Sequence, residues 1–189
     1  MLLITAYPEV PQIDTLPVFK TTYYPWNTGS YKPLAYARLA AVGSSFLLAD
    51  LLSFERDPEC SFSKLLDNAC LVISLGEDTH DNRVLSIVVC ADGRYQVYED
   101  ARQLPNKLNI SRYAGDDEQG WYWGARLQIP FEWIWSNRNT NEIQSDRLLV
   151  NVYTYKQNEP GERLGSIAPV SEKDIFSVLN LELFKIINY

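Results

Sequence analysis

Between Gly120 and Ser136 the chain reads GWYWGARLQIPFEWIWS, and four of its five tryptophans lie there. Trp121, Trp123, Ala125, Leu127 and Ile129 alternate with Tyr122, Gly124, Arg126 and Gln128. A period of two puts these sets on opposite faces of a β-strand. Pro130 ends the strand, because it has no N–H for the ladder, while its fixed φ suits the first turn of a helix. Phe131, Ile134 and Trp135 follow at helical spacing. A core strand running into a short helical turn is the expectation, with its tryptophans packed inside. The sharper alternative makes one or two of them a stacking platform for a ligand ring.

The rest of the chain repeats that alternation in short pieces. Pro8, Pro11, Pro17, Pro25 and Pro33 exclude a long helix from the first 33 residues. Leu2 to Ala6 reads as an edge strand, and Tyr23 to Asn27 as an aromatic loop carrying Trp26. Leu34 to Val42 and Ser45 to Phe54 form a hairpin-like pair, and Leu66 to Leu75 holds a buried strand. Arg83 to Ala91 and Arg94 to Tyr98 flank the Asp92-Gly93 turn. Lys107 to Arg112 is a strand before an acidic loop, Gly115 to Glu118. Ser136 to Asp146 is a polar loop, Leu148 to Tyr155 a strand, Gly161 to Ser166 a turn, and Leu179 to Ile187 the closing strand. About ten short strands with little helical periodicity point to an all-β, antiparallel β-sandwich with one or two short helical turns. No repeat or linker divides it, so residues 1–189 read as one domain.

Charge and motif content remove several function classes. The net charge of −7, with no basic stripe, argues against nucleic acid and anionic membranes as partners. No stretch approaches the apolar length of a membrane span. The segment MLLITAYPEVP lacks the charged and apolar regions of a signal peptide, which points to the cytoplasm. Cys60, Cys70 and Cys90 show no CxxC spacing and read as free buried thiols, although one disulfide is conceivable. His80 is the only histidine, in a charged turn, so multi-histidine metal sites are excluded. There is no GxSxG elbow, P-loop or GxGxxG. Glu55, Asp57, Glu59 and Asp67 lie close in sequence, and such a group is a solvated loop, a calcium site or a glycosidase carboxylate pair.

Several segments, taken in order, resemble the family 9 carbohydrate-binding modules. They are Tyr24-Pro25-Trp26, Pro33 to Leu39, Phe54-Glu55-Arg56-Asp57-Pro58, Asp67 to Ile73 and Ala91-Asp92-Gly93. Gly120-Trp121 with Ile129-Pro130-Phe131, Val150 to Tyr153 and Asn180 to Leu183 complete the series. The resemblance implies a β-sandwich of carbohydrate-binding-module type that binds a mono- or oligosaccharide without cleaving it, with Ca²⁺ as a structural ion. It also leaves an extracellular location open. Departures matter as much. The family's two sugar-clasping tryptophans fall near Lys64 and Glu172, and neither neighbourhood has one. Its strand carboxylate becomes Cys70, and its next-strand Arg or Asn falls in the apolar Ser86-Ile87-Val88-Val89. Losing two stacked rings, at ~0.5–1.5 kcal/mol each beyond buried area, removes about a hundredfold or more in affinity once the polar groups go too.

Three readings follow. The first is a non-catalytic sugar-binding domain whose site has degenerated or moved, with Tyr24, Trp26, Glu55, Arg56, Asn151, Tyr153 and Tyr155 as ligand-binding candidates. Trp121 or Trp123 joins them if either ring reaches the surface, and Trp26 is the ring expected to be exposed. The second is an interaction or scaffold protein that kept the sandwich and lost the sugar. The third, a glycoside-processing enzyme, needs two carboxylates facing across a cleft.

Overall fold

The computed structural model describes residues 2–27, 29–77, 82–105, 107–135, 146–157 and 162–188. His80, the Pro160-Gly161 turn and all but the last residue of the Ser136–Asp146 loop lie outside the described residues. The strands are β1 (Leu2–Tyr7), β2 (Phe19–Lys20), β3 (Leu34–Val42), β4 (Phe46–Phe54), β5 (Cys70–Glu77) and β6 (Val84–Cys90). They continue with β7 (Tyr95–Glu99), β8 (Arg102–Leu104), β9 (Asn109–Asp117), β10 (Gly120–Pro130), β11 (Arg147–Lys156), β12 (Arg163–Ser166) and β13 (Glu182–Asn188). One short helix, α1 (Phe131–Ile134), and 3-10 turns at Ile13–Thr15, Leu65–Asp67 and Val178–Asn180 complete the elements among the described residues.

Hydrogen bonds join the strands into one continuous sheet in the order β8-β7-β6-β5-β11-β13-β1-β3-β4-β10-β9, with β12 on β11 and β2 on β3. The sheet curls on itself. Leu71, Ile73, Ile87 and Val152 from one half share a buried cluster with Leu39, Leu47, Leu51 and Leu127 from the other. The result is a β-sandwich, with β13 and β1 at the bend between its layers. In β10 the alternation works as read: Trp123, Ala125, Leu127 and Ile129 are buried, and Phe131, Ile134 and Trp135 close the core beyond Pro130.

Four local expectations are corrected. β1 is not an edge strand: it lies between β13 and β3, parallel to both, with Ile4 fully buried. Its partners are far away in sequence, so no local turn signal announces them. Gly115 to Asp117 are not a loop but continue β9, pairing with Tyr122, Trp121 and Gly120. The turn is made instead at Glu118-Gln119, with Gly120 at φ +113, where a side chain would be strained. Arg163 to Ser166, read as part of a turn, form β12 against Tyr153 to Lys156. Finally, Trp26 is half-buried against a second apolar cluster, whereas Trp121 is 54% exposed.

The outer face of the β5–β6–β11 layer is covered rather than open. Cys70, Val72, Val88, Tyr153 and Tyr155 lie beneath Leu65, Leu66, Ile175 and Phe176. Two buried asparagines hold the covering segments. Asn68 Nδ2 donates to the carbonyls of Phe62, Lys64 and Leu65, and its Oδ1 accepts from Phe62 N–H. Asn180 Nδ2 donates to Glu172 and Asp174 carbonyls while its Oδ1 accepts from Ser171 and Glu172 N–H. Ser74 Oγ ties the second segment down by donating to Ile175 O at 2.8 Å.

Candidate functional site

The loop that leaves β4, Glu55-Arg56-Asp57-Pro58-Glu59, carries the concentration of charge. Glu55 is 9% exposed and accepts both Nη1 and Nη2 of Arg163, at 2.9 and 2.8 Å. Such a bidentate pair fixes geometry as well as charge. Arg163 stands on β12 opposite Lys156 of β11, and Lys156 Nζ pairs with Glu59. Asp67 lies 3.9 Å from Lys64. The carboxylates that sequence offered to calcium are therefore met by cations of the same chain, which supply the neutralising charge an ion would bring.

Two clefts open on either side of this loop. The first, about 250 Å³, lies between Tyr31, Asn27 and the Glu55–Arg163 and Glu59–Lys156 pairs. The second, about 320 Å³, has Trp121 and Trp123 on one wall and Arg56, Asp57 and Pro58 on the other. Trp121 belongs to the inward-facing set of β10, but it stands beyond the end of the core, so its ring emerges into this cleft. Arg56 and Asp57 are exposed, with Arg56 Nε 3.9 Å from the Asp57 carboxylate. Asp57 sits at φ +139, a conformation that costs a non-glycine residue about 1–3 kcal/mol and is found preferentially where a site needs it.

A third cleft of about 390 Å³ lies on the outer face of β3, β4 and β10. At its floor Asp50 accepts the Tyr113 hydroxyl at 3.0 Å and is flanked by Arg38 and Arg126 at 3.6 and 3.5 Å. Burial raises the Asp50 pKa above the ordinary value, against the lowering effects of Tyr113 and the two arginines. Tyr113 reaches this position because Gly124 leaves room for its ring: a Cβ there would strike both that ring and the Leu51 carbonyl.

The seven sequence candidates separate into two groups. Glu55 and Arg56 meet at the Trp121 cleft, and Tyr24 stands behind Glu55. Its ring lies on Gly165, where a Cβ would collide with it, and its hydroxyl donates to Pro33 O. Burial raises its pKa. Trp26, Asn151, Tyr153 and Tyr155 lie elsewhere. Asn151 and Tyr153 are fully buried, and Asn151 Nδ2 donates to Asn180 O at 2.6 Å while its Oδ1 accepts from Val152 N–H. Tyr155 is almost as deep, its pKa raised chiefly by burial to about 12. On a strand whose two faces are both covered, the outward-facing set is core as well. Arg163 and Lys156 were missed, because the partners of Glu55 and Glu59 lie about a hundred residues onward and no local pattern links them.

The strand positions where the resemblance puts the family's polar sugar contacts are filled, whereas Lys64 and Glu172, near which its tryptophans would fall, are exposed. Cys70 and Val88 are buried, and Ser86 Oγ is bonded to Ser74 Oγ at 2.7 Å under Ile175.

No protein-family profile matches the chain, and no curated protein matches it in sequence. Solved structures do match its fold. A family 9 carbohydrate-binding module from Caldicellulosiruptor kristjanssonii, in complex with cellotriose, aligns with TM-score 0.69 and 10% identity over 100% of this chain and 94% of its own. The same organism's family 9 module in complex with glucose gives TM-score 0.69 and 9% identity over 100% and 96%. A candidate carbohydrate-binding protein from Bacteroides uniformis gives TM-score 0.70 and 10% identity over 98% of each chain. The chain has the family 9 module fold from end to end. At 9–10% identity the likeness is one of fold.

Proposed function

We propose that this chain is a non-catalytic carbohydrate-binding β-sandwich whose sugar site lies in the Trp121 cleft, displaced from the outer face of the β5–β6–β11 layer. One observation carries the reading: a tryptophan ring 54% exposed, in a cleft whose opposite wall offers a guanidinium and a carboxylate. A pyranose presents an apolar C–H face that stacks on an indole and a rim of hydroxyls that pair with charged groups. Trp121 supplies the stacking plane. Arg56 donates to ring hydroxyls, and Asp57 accepts from them.

Three further facts support it. Two neighbours of the same fold are solved with cellotriose and with glucose bound. The strand positions where the resemblance puts the family's polar sugar contacts, Cys70 and Val88, are buried here beneath Leu65, Ile175 and Phe176, and no tryptophan stands near Lys64 or Glu172, so a retained sugar function needs another site. The cleft volume lies at the low end of ligand pockets, about 300–1,000 Å³, which suits one or two sugar rings rather than a long chain. The carboxylates beside it do not read as a hydrolytic pair, since Glu55 and Glu59 are held by Arg163 and Lys156.

The test is calorimetric and fluorimetric titration with glucose, cellotriose and a panel of other mono- and oligosaccharides at millimolar concentration. Binding with a shift in tryptophan emission is expected, and Trp121→Ala lowers the affinity about tenfold or more. Silence across the panel sinks the sugar reading. Affinity untouched in Trp121→Ala moves the site elsewhere.

A further inference from the structure

The fold brings all three cysteines of the chain together from three separate segments. Cys60 lies in the loop after β4, Cys70 opens β5 and Cys90 closes β6. Cys70 and Cys90 are directly opposed across the β5–β6 ladder, with their Sγ atoms 3.5 Å apart. The Sγ atoms of Cys60 and Cys90 and a carboxylate oxygen of Asp92 all lie within 4.8 Å of one another. All three sulfurs are free thiols.

We propose that Cys60, Cys90 and Asp92 form a three-ligand binding site for a thiophilic divalent cation of the zinc class, with solvent in the fourth position. Tetrahedral zinc with Zn–S near 2.3 Å places two sulfurs about 3.8 Å apart, a spacing compatible with Cys60 and Cys90 sulfurs that lie within 4.8 Å of one another. Cys70 Sγ stays behind them and donates to Leu65 O at 3.3 Å. Sulfur donors select zinc, cadmium or cobalt over calcium and magnesium, which take oxygen ligands. The ligands are also held from behind. Arg94 Nε donates to Asp92 Oδ2 at 2.7 Å, and its two terminal nitrogens donate to the carbonyls of Cys60, Phe62 and Ser63. Arg112 Nη1 donates to the Asp92 carbonyl at 2.6 Å. One guanidinium thus fixes both the Cys60 loop and the Asp92 side chain, the kind of outer contact that orients metal ligands. Its positive charge also offsets part of the excess negative charge of the thiolates and carboxylate around a divalent ion. On binding, each ligating thiol loses its proton to solvent and the sulfur lone pair goes to the metal.

The test uses the reduced 189-residue chain and Co²⁺ as the spectroscopic probe. Thiolate-to-cobalt charge transfer in the near ultraviolet and tetrahedral d–d bands in the visible are expected to saturate at one ion per chain. Zn²⁺ displaces the signal and excess Ca²⁺ or Mg²⁺ does not. Cys60→Ser, at a half-buried loop position, is expected to weaken cobalt binding at least tenfold while the circular dichroism stays native. Cys90→Ser abolishes it. The proposal is overturned if the folded, reduced chain gives no charge-transfer band. It is equally overturned if the band persists unchanged in Cys60→Ser and Cys90→Ser, or if the thiols close to a disulfide and the reduced chain takes up no metal.

Discussion

Glu55 shows how much a single buried charge depends on one distant partner. Its carboxylate is withdrawn from water, and both oxygens are met by the fork of Arg163. Removing one member of such a pair leaves an uncompensated charge inside the protein, at a cost of about 3–5 kcal/mol. Arg163→Met is therefore expected to lower the unfolding free energy measured in urea by that amount, whereas Glu55→Gln combined with Arg163→Met costs distinctly less. Equal losses in the single and double variants would mean the two side chains do not act as a pair. Trp121 is the opposite kind of residue. Its ring is exposed, so Trp121→Ala should leave the unfolding free energy within about 0.5 kcal/mol while lowering sugar affinity about tenfold or more. That contrast separates the groups that hold the loop after β4 from the ring that faces the cleft.

At the scale of elements, the segment 171–180 behaves as a cover anchored by Asn180. Four hydrogen bonds converge on that buried side chain, and Ser74 fastens the middle of the segment to β5. Asn180→Ala strands buried backbone groups, each worth about 1–3 kcal/mol. Amide hydrogen exchange should accelerate through residues 171–180 while β5 and β11 stay protected; uniform acceleration would place Asn180 in the global core instead. The same scale shows what could be read from the sequence. β3, β4, β6, β10 and β11 announce themselves because each spans seven residues or more, long enough for apolar residues to alternate or cluster visibly. β8 and β12 span three and four residues, too few for a period to register. The candidate site was legible only in part for a related reason. Glu55 and Arg56 are adjacent in sequence, but the cations that hold the loop and the covering segment that buries Asn151 and Tyr153 come from elsewhere. Alternation reveals which face a side chain takes, not whether a second layer covers that face.

For the molecule as a whole, burial of ionisable groups sets a direction for pH. Tyr113, Tyr153 and Tyr155 all have pKa values raised chiefly by burial, Tyr155 to about 12. A tyrosine whose pKa is raised in the folded chain keeps its proton while the unfolded chain loses its own near pH 10. The stability it contributes is complete below that pH and drains away as pH climbs through the folded value. Asp50 has the same sign at lower pH: its pKa is raised by burial, so its contribution falls as pH rises above the ordinary carboxylate range. The net charge of −7 adds self-repulsion that grows as further protons leave. The tyrosines and the net charge act together at high pH, after the Asp50 contribution has already gone, and stability should decline steadily with alkalinity above pH 10. Near-ultraviolet circular dichroism followed beside tyrosinate absorbance checks this. Tyr113, Tyr153 and Tyr155 should ionise in one cooperative step that coincides with loss of the folded signal. A gradual titration of all twelve tyrosines with the folded signal intact would show that their burial does not link proton loss to unfolding.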